Sequence, residues 1–422
     1  MPTAGLRVQS EHCSIDATGV RTSDVLERDD CPAKLMASVE TPDVLIVGGG
    51  VIGLAAAWRL AQRGLRVTLL DRRELGGGAS RVAAGMLAPA AEAEFGAAGK
   101  RLLQLGLESA RKWPAFAAEL AEASGSPSRL RAEGTLMVAR DRDEAEALER
   151  EFVFRQDLGL EVARLRPSEA RQLEPALAPT LRLAVSLPGE QSVDPRWLTE
   201  ALAVAARRAG AVLREGVAVS GLRCASGRVD GVTLVDGSRL AAGSVVVAAG
   251  AWSAALGEVA VRPVKGQIML LRDPAGLGLP KRVVRFEGGY LVPRADGRYA
   301  LGATVEERGF DETVTAGALH GLLHHASKLV PAVLELEIEE VAAGLRPGTP
   351  DNMPVVGPGA FEGLVWATGH YRNGILLTPV TAELVAAALG AASASLPVKL
   401  CTPARPRMVA EQLHLGAQPV DP

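Results

Sequence analysis

Lysine is nearly missing from this chain. Only seven of its 46 basic residues are lysine, so arginine is the background base and a single arginine is informative only in unusual surroundings. Cysteine is scarce too. The four present, Cys13, Cys31, Cys224 and Cys401, form no C-x-x-C pair and no zinc spacing. That excludes a disulfide scaffold and points to free thiols in a reducing, cytoplasmic setting. The formal net charge is −3 over 422 residues, which leaves no surplus of either sign for nucleic acid or an acidic membrane surface. No apolar run reaches the roughly 18 residues of a membrane span. Neither an internal repeat nor a low-complexity tract occurs, and no Ser-His-Asp set or nucleophile elbow is visible. His320, His324 and His325 fall at helical spacing without an acidic partner at zincin spacing, so no metal is expected.

What is present is an ordinary globular composition, 48 % hydrophobic and 23 % charged, and one stretch that organises the rest. Residues 43–71 read DVLIVGGGVIGLAAAWRLAQRGLRVTLLD. An apolar strand runs into Gly48, Gly50 and Gly53, a small-residue helix follows, and a second apolar strand ends on Asp71. This is a βαβ unit with a G-x-G-x-x-G turn. Gly48 permits the tight turn, Gly50 lets backbone approach a pyrophosphate, and Gly53 lets the helix pack on the strand. The helix N-terminus faces the phosphates. Asp71 follows Gly53 by 18 residues, near the ~20 expected of a ribose-binding carboxylate. These features imply a bound adenine dinucleotide.

Further along, two small-residue runs, 76–80 and 83–88 (AAGMLA), suggest backbone lying against an extended ligand. Residues 99–125 read as an amphipathic helix interrupted at Pro114, 133–140 as a strand, and 142–158 and 167–173 as helices. Asp194 and Pro195 have the chemistry of an N-cap and first helical residue. Strands are expected at 212–222 and 231–234, and a buried one at 244–250. Residues 264–271, 289–293 and 299–304 alternate like an antiparallel sheet, and 319–330 reads as a helix. Residues 341–347 are expected to lead back to the nucleotide domain, followed by a buried strand at 364–368 and a helix at 381–389. The fold class is therefore α/β: a Rossmann-like nucleotide domain (41–92, 186–262 and 341–405) interrupted by an α+β domain with an antiparallel sheet (93–185 and 263–340). Residues 1–40 are expected to form an extension, or an over-called start ahead of Met36, and are too acidic for a transit peptide. Residues 406–422 are expected to be a tail.

Together with the glycine turn, VDP at 193–195, VVVAAGAWS at 245–253, PVKGQ at 263–267, GYLVPR at 289–294, AGLRPGT at 343–349 and GHYRNGILLTP at 369–379 resemble the D-amino-acid oxidase family of FAD-dependent oxidoreductases. Within it, they are similar to the glycine oxidases of bacterial thiazole (thiamine) biosynthesis. The resemblance implies non-covalent FAD held by Val51 and Ile52, by Asp71 and Arg72 at the ribose, and by Ala79 and Ser80. Ala84, Gly85 and Met86 would lie beside the flavin and the Ala218 backbone at the adenine end. His370, Tyr371, Arg372, Asn373, Gly374, Ile375 and Leu376 would line the other side of the ring. Arg346 would grip a substrate carboxylate, helped by Tyr290, with Arg372 as a second cation; a planar guanidinium suits that task.

The implied reaction is oxidation of glycine, or of sarcosine and small D-amino acids, to an imine or glyoxylate, ammonia and hydrogen peroxide, with no protein acid or base required. Dioxygen, thiazole-synthesis enzymes and a homotetramer are the implied partners. Rivals are a sarcosine oxidase-like enzyme, a D-amino-acid dehydrogenase, a non-catalytic flavin-binding subunit and a nicotinamide enzyme. Against them stand the absence of lysine at 299–304, the lack of a membrane-docking segment, the joint presence of Arg346, Tyr290 and Arg372, and the repulsion between Asp71 and a 2′-phosphate. Lys265 reads as structural, and Gly288 and Gly289 leave the neighbourhood of Tyr290 bare.

Overall fold

A computed structural model describes residues 41–392; the expected extension 1–40 and tail 406–422, with Cys13, Cys31 and Cys401, lie outside the described residues. The opening βαβ unit forms as its sequence requires, with strand Val44–Val47, helix Val51–Gln62 and strand Val67–Leu70. The two strands sit at the heart of a six-stranded sheet. Its order is Val355–Pro358, Leu364–Thr368, Ser244–Val247, Val44–Val47, Val67–Leu70, Val212–Arg214, parallel except for the first pair.

Side chains of a strand alternate between faces, and here both faces are covered. Val44 and Ile46 face a core built with helices Val51–Gln62, Pro195–Arg208 and Thr378–Ala388. Leu45 and Val47 face a core shared with Val229, Val232 and Leu234. The latter three belong to a three-stranded antiparallel sheet, Val219–Ala225, Arg228–Leu234 and Arg239–Ala241. The expected single strand at 212–222 is thus two strands in two different sheets, because the chain turns at Gly216 (φ +70°).

The second sheet has eight strands in the order Glu337–Gly348, Arg262–Arg272, Arg298–Gly302, Gly289–Pro293, Val283–Phe286, Thr135–Ala139, Leu183–Leu187, Ala163–Leu165. All neighbours are antiparallel except Val283–Phe286 with Thr135–Ala139. One face is covered by helix Ala316–Ser327; the other carries Ile268, Leu270, Val292 and Tyr290 toward residues 82–86. The sequence places the return to the nucleotide domain at 341. Residues 337–348 form one edge strand paired along its length with Arg262–Arg272, from Glu337↔Arg272 to Gly348↔Arg262. The chain leaves this sheet only after Gly348, so we propose moving that domain boundary accordingly. Leu183–Leu187 likewise belongs to the second sheet. Met86–Leu87 pairs with Gln191–Val193 in a small sheet that ties the two bodies together.

Helix Gly96–Ser124 passes Pro114 without stopping. Pro114 faces solvent while Trp113, Phe116, Ala117 and Leu120 are buried, so packing along one face outweighs the lost hydrogen bond. Asp194 caps helix Pro195–Arg208 as expected, accepting from the Arg196 amide at 3.0 Å.

Candidate cofactor and substrate site

One cavity of about 450 Å³ runs between the two sheets. At one end lies the glycine turn. Gly48 has φ +112°, and a Cβ there would overlap the Ala248 carbonyl; at Gly53 a Cβ would overlap the Gly48 carbonyl. Glycine is therefore required by both conformation and contact. Helix Val51–Gln62 opens onto the cavity with no acidic residue in its first turn and no side-chain cap, which leaves its positive end for an anion. Ser80 Oγ accepts from the Val51 amide at 3.0 Å and fastens the first small-residue run to the turn. The Asp71 carboxylate accepts from the Gly49 amide at 2.6 Å and the Arg73 amide at 2.7 Å, so it is held rigidly at the end of its strand.

Of the expected cofactor residues, Gly48, Gly50, Val51, Ile52, Asp71, Arg72, Ala79, Ser80, Ala84, Gly85, Met86, His370, Tyr371, Arg372, Asn373, Gly374 and Ile375 line the cavity. Three stand behind the lining. Gly53 packs under the turn. The Ala218 carbonyl is taken by the Val235 amide, while its neighbours Val217 and Val219 face the cavity. The Leu376 carbonyl accepts from Ser109 Oγ at 2.6 Å and Trp113 Nε1 at 2.9 Å, pinning the loop 370–376 from the rear. His370 is buried with Nε2 3.0 Å from Thr381 Oγ1; burial pushes its pKa down to about 3, so it is neutral at physiological pH.

At the other end Arg346, Tyr290 and Arg372 meet, as expected. Arg346 Nη1 donates to the carbonyls of Lys265 (3.2 Å) and Thr304 (3.0 Å). The guanidinium lies flat over Gly266, where any Cβ would overlap it. The Tyr290 ring lies over Gly302, whose Cβ would come within 2.9 Å of the hydroxyl. Burial raises the Tyr290 pKa, and the nearby Arg346 and Arg372 pull the other way, so the phenol is a neutral hydrogen-bonding group. Gly288 and Gly289 do not reach the lining; Gly288 lies against the His325 ring.

Glu92 escaped sequence reading. It lines the cavity, its side chain is 13 % exposed, and it pairs with Arg285 (2.9 Å) and Arg372 (3.2 Å). Burial raises its pKa, but Arg285, Arg372, Arg346 and Arg155 outweigh that and hold it below the ordinary carboxylate value. It is therefore charged and neutralises part of the cationic site. Its only signal was an acid, with Glu94 close by, shortly after the small-residue run 83–88. Gly250, the end of the 245–250 strand, lines the cavity, and so do Trp252 and Thr368, which were not foreseen in that role.

The long lining, the helix N-terminus opening onto it and the glycine cradle fit an adenine dinucleotide. Comparison with known proteins agrees. Residues 43–388 match the DAO model, FAD dependent oxidoreductase. The chain is 41 % identical to a glycine oxidase of Geobacillus kaustophilus, over 82 % of this chain and 92 % of that one. It is 38 % identical to the bifunctional protein ThiO/ThiG of Synechocystis over 82 % of this chain, spanning only 51 % of that protein. A crystal structure of glycine oxidase from Geobacillus kaustophilus superposes with a TM-score of 0.80 at 38 % identity, covering 86 % of this chain and 98 % of that one. The chain belongs to the DAO family of FAD-dependent oxidoreductases.

Proposed function

We propose that this FAD-dependent amino-acid oxidase acts on glycine, with sarcosine and small D-amino acids as slower substrates. The observation that carries the reading is the juxtaposition of Arg346 and Tyr290, lying flat on Gly266 and Gly302, at the far end of the nucleotide cavity. Two donors side by side suit one carboxylate, and the low floor sets it close to the sheet.

Arg346 and Tyr290 bind and orient the substrate carboxylate. The amine has to be neutral when its carbon is oxidised. Arg346 and Arg372 disfavour an ammonium beside them, and Glu92, engaged with Arg285 and Arg372, limits that field. His370 is uncharged and adds to neither side. The remaining residues position the substrate and exclude water. FAD, when bound, would supply the two-electron acceptor for the amine carbon, with dioxygen as the final oxidant. The balance is glycine + O2 + H2O → glyoxylate + NH3 + H2O2. We read the flavin as non-covalent; the free cysteine among the described residues, Cys224, is exposed and outside the lining.

The two-part relative from Synechocystis motivates a role for the imine product in thiazole formation for thiamine. A cytoplasmic homotetramer is the setting we propose. Among the described residues no helix is long and apolar enough to cross a membrane. The substrate reading is tested by peroxide release with glycine, sarcosine, D-alanine and D-proline. Glycine should lead; a wide margin for a bulky D-amino acid would overturn it. Sedimentation of the purified protein tests the tetramer.

A further inference from the structure

We propose that residues 304–315 form a clasp that retains the bound cofactor by closing from the eight-stranded sheet onto the nucleotide body. The inference rests on the FAD cofactor and is independent of which amine is oxidised. The root of this segment is fastened to the second sheet. Lys265 is 1 % exposed and reaches Asp311 at 2.7 Å. A buried ammonium without that carboxylate would be costly, so the contact fixes the segment's path. The Glu306 amide and carbonyl pair with the Lys265 backbone at 3.0 and 2.9 Å, and Gln267 Oε1 accepts from the Thr315 amide at 2.7 Å. Ala303 and Val305 beside the root line the cavity.

The tip makes a different kind of contact. Phe310 stacks on Trp252, with ring centroids 5.5 Å apart and planes at 29°. Glu312 pairs with Arg73 at 2.9 Å. Trp252 also carries two guanidinium groups, Arg72 at 3.9 Å and Arg73 at 5.5 Å from a ring centroid. Trp252, Arg72 and Arg73 all line the cavity from the nucleotide side. The segment therefore completes a ring of protein around the cavity: second sheet, clasp, Trp252, Arg72. Phe310 remains 54 % exposed, so this large apolar ring contributes little to either core; its principal contact is the stack. The Lys265–Asp311 anchor lies between Phe310 and Glu312 in sequence and stays in place, so opening is a swing of those two side chains that breaks the stack and one partly exposed ion pair. Such contacts are individually weak, which suits a closure that must open for the cofactor to enter.

The test is FAD release from the purified holoprotein, followed as free-flavin fluorescence after rapid dilution. Phe310→Ala should speed release by about three- to tenfold, the value of one aromatic pair, and Phe310→Tyr should restore the wild-type rate. Glu312→Gln should speed it by about twofold, and salt should erase the difference from wild type. Unchanged release from folded Phe310→Ala and Glu312→Gln proteins would overturn the clasp while leaving the flavin intact. A wild-type protein that holds no FAD would overturn both the clasp and the cofactor assignment.

Discussion

The two ends of the cavity are built from different materials. The nucleotide end is made of backbone: a glycine turn, the open end of a helix, and Asp71 tied to two amides, all within residues 48–73. The arginine end is made of side chains from four distant stretches, with Arg285 and Tyr290 facing each other on one hairpin. Glu92 comes from the loop before helix Gly96–Ser124, Arg285, Tyr290 and Arg346 from three strands of the second sheet, and Arg372 from the loop before the last helix. A site written in backbone needs residue types at fixed spacing. A site written in charged side chains needs only that the fold bring them together. The first tolerates almost no substitution in its turn, whereas the second should degrade in steps.

The sharpest way to break the comparison is Gly48→Ala. A Cβ would overlap the Ala248 carbonyl, and φ +112° is closed to an L side chain without strain. FAD affinity should fall by about a hundredfold or more, equivalent to roughly 3 kcal/mol, and the protein should purify with little yellow colour. A flavin titration of the apoprotein checks this. Wild-type affinity would mean that the nucleotide end is not built on that turn.

Arg346→Ala addresses the other end and should leave flavin content unchanged. Losing a charge-assisted contact to the carboxylate should raise KM for glycine by roughly thirty- to a hundredfold, about 2–3 kcal/mol. Arg346→Lys should fall between, because an ammonium keeps the charge and loses the planar fork. Steady-state kinetics settle it. An unchanged KM would hand the carboxylate to Arg372.

These materials also explain what the sequence made legible. The strand, turn, helix and Asp71 of residues 43–71 follow from local pattern, and they fold as written. Arg346, Tyr290 and Arg372 are brought together as the family resemblance implied. Glu92 was opaque because its importance lies in Arg285 and Arg372, which only the tertiary fold delivers. Gly266 and Gly302 were opaque for the same reason; they matter through the side chains lying on them. The edge strand Glu337–Gly348 was hard to read because AGLRPG has the composition of a turn. Its pairing with Arg262–Arg272 overrides that local preference. Trp252 was visible within its motif, but the partner that gives it a further role, Phe310, arrives from the other sheet.

The smallest effect lies behind the arginine end and separates charge from packing there. Glu190 is buried; its Oε1 accepts from the Ala91 amide at 2.6 Å, next to Glu92, and the Thr135 side chain lies beside the carboxyl. Burial raises its pKa to about 7, with Glu92 adding to the rise and the Thr135 hydroxyl, the Ala91 amide and Arg285 opposing it. The folded protein therefore binds this proton more tightly than the unfolded chain, whose carboxyl titrates at the ordinary value of 4.5. The resulting stability is fully present below pH 4.5 and is lost as the pH rises through about 7. His370 works in the opposite sense: its folded pKa of about 3 against 6.5 unfolded removes stability as the pH falls from 6.5. Comparing Glu190→Gln with wild type at each pH cancels that contribution. Glutamine keeps an acceptor for the Ala91 amide and cannot ionise. The Tm of the variant relative to wild type should therefore climb by a few degrees between pH 5 and 8, on the order of 2–3 kcal/mol. A Tm difference that does not move with pH would show that Glu190 acts through packing alone and that charge at this end stops at Glu92.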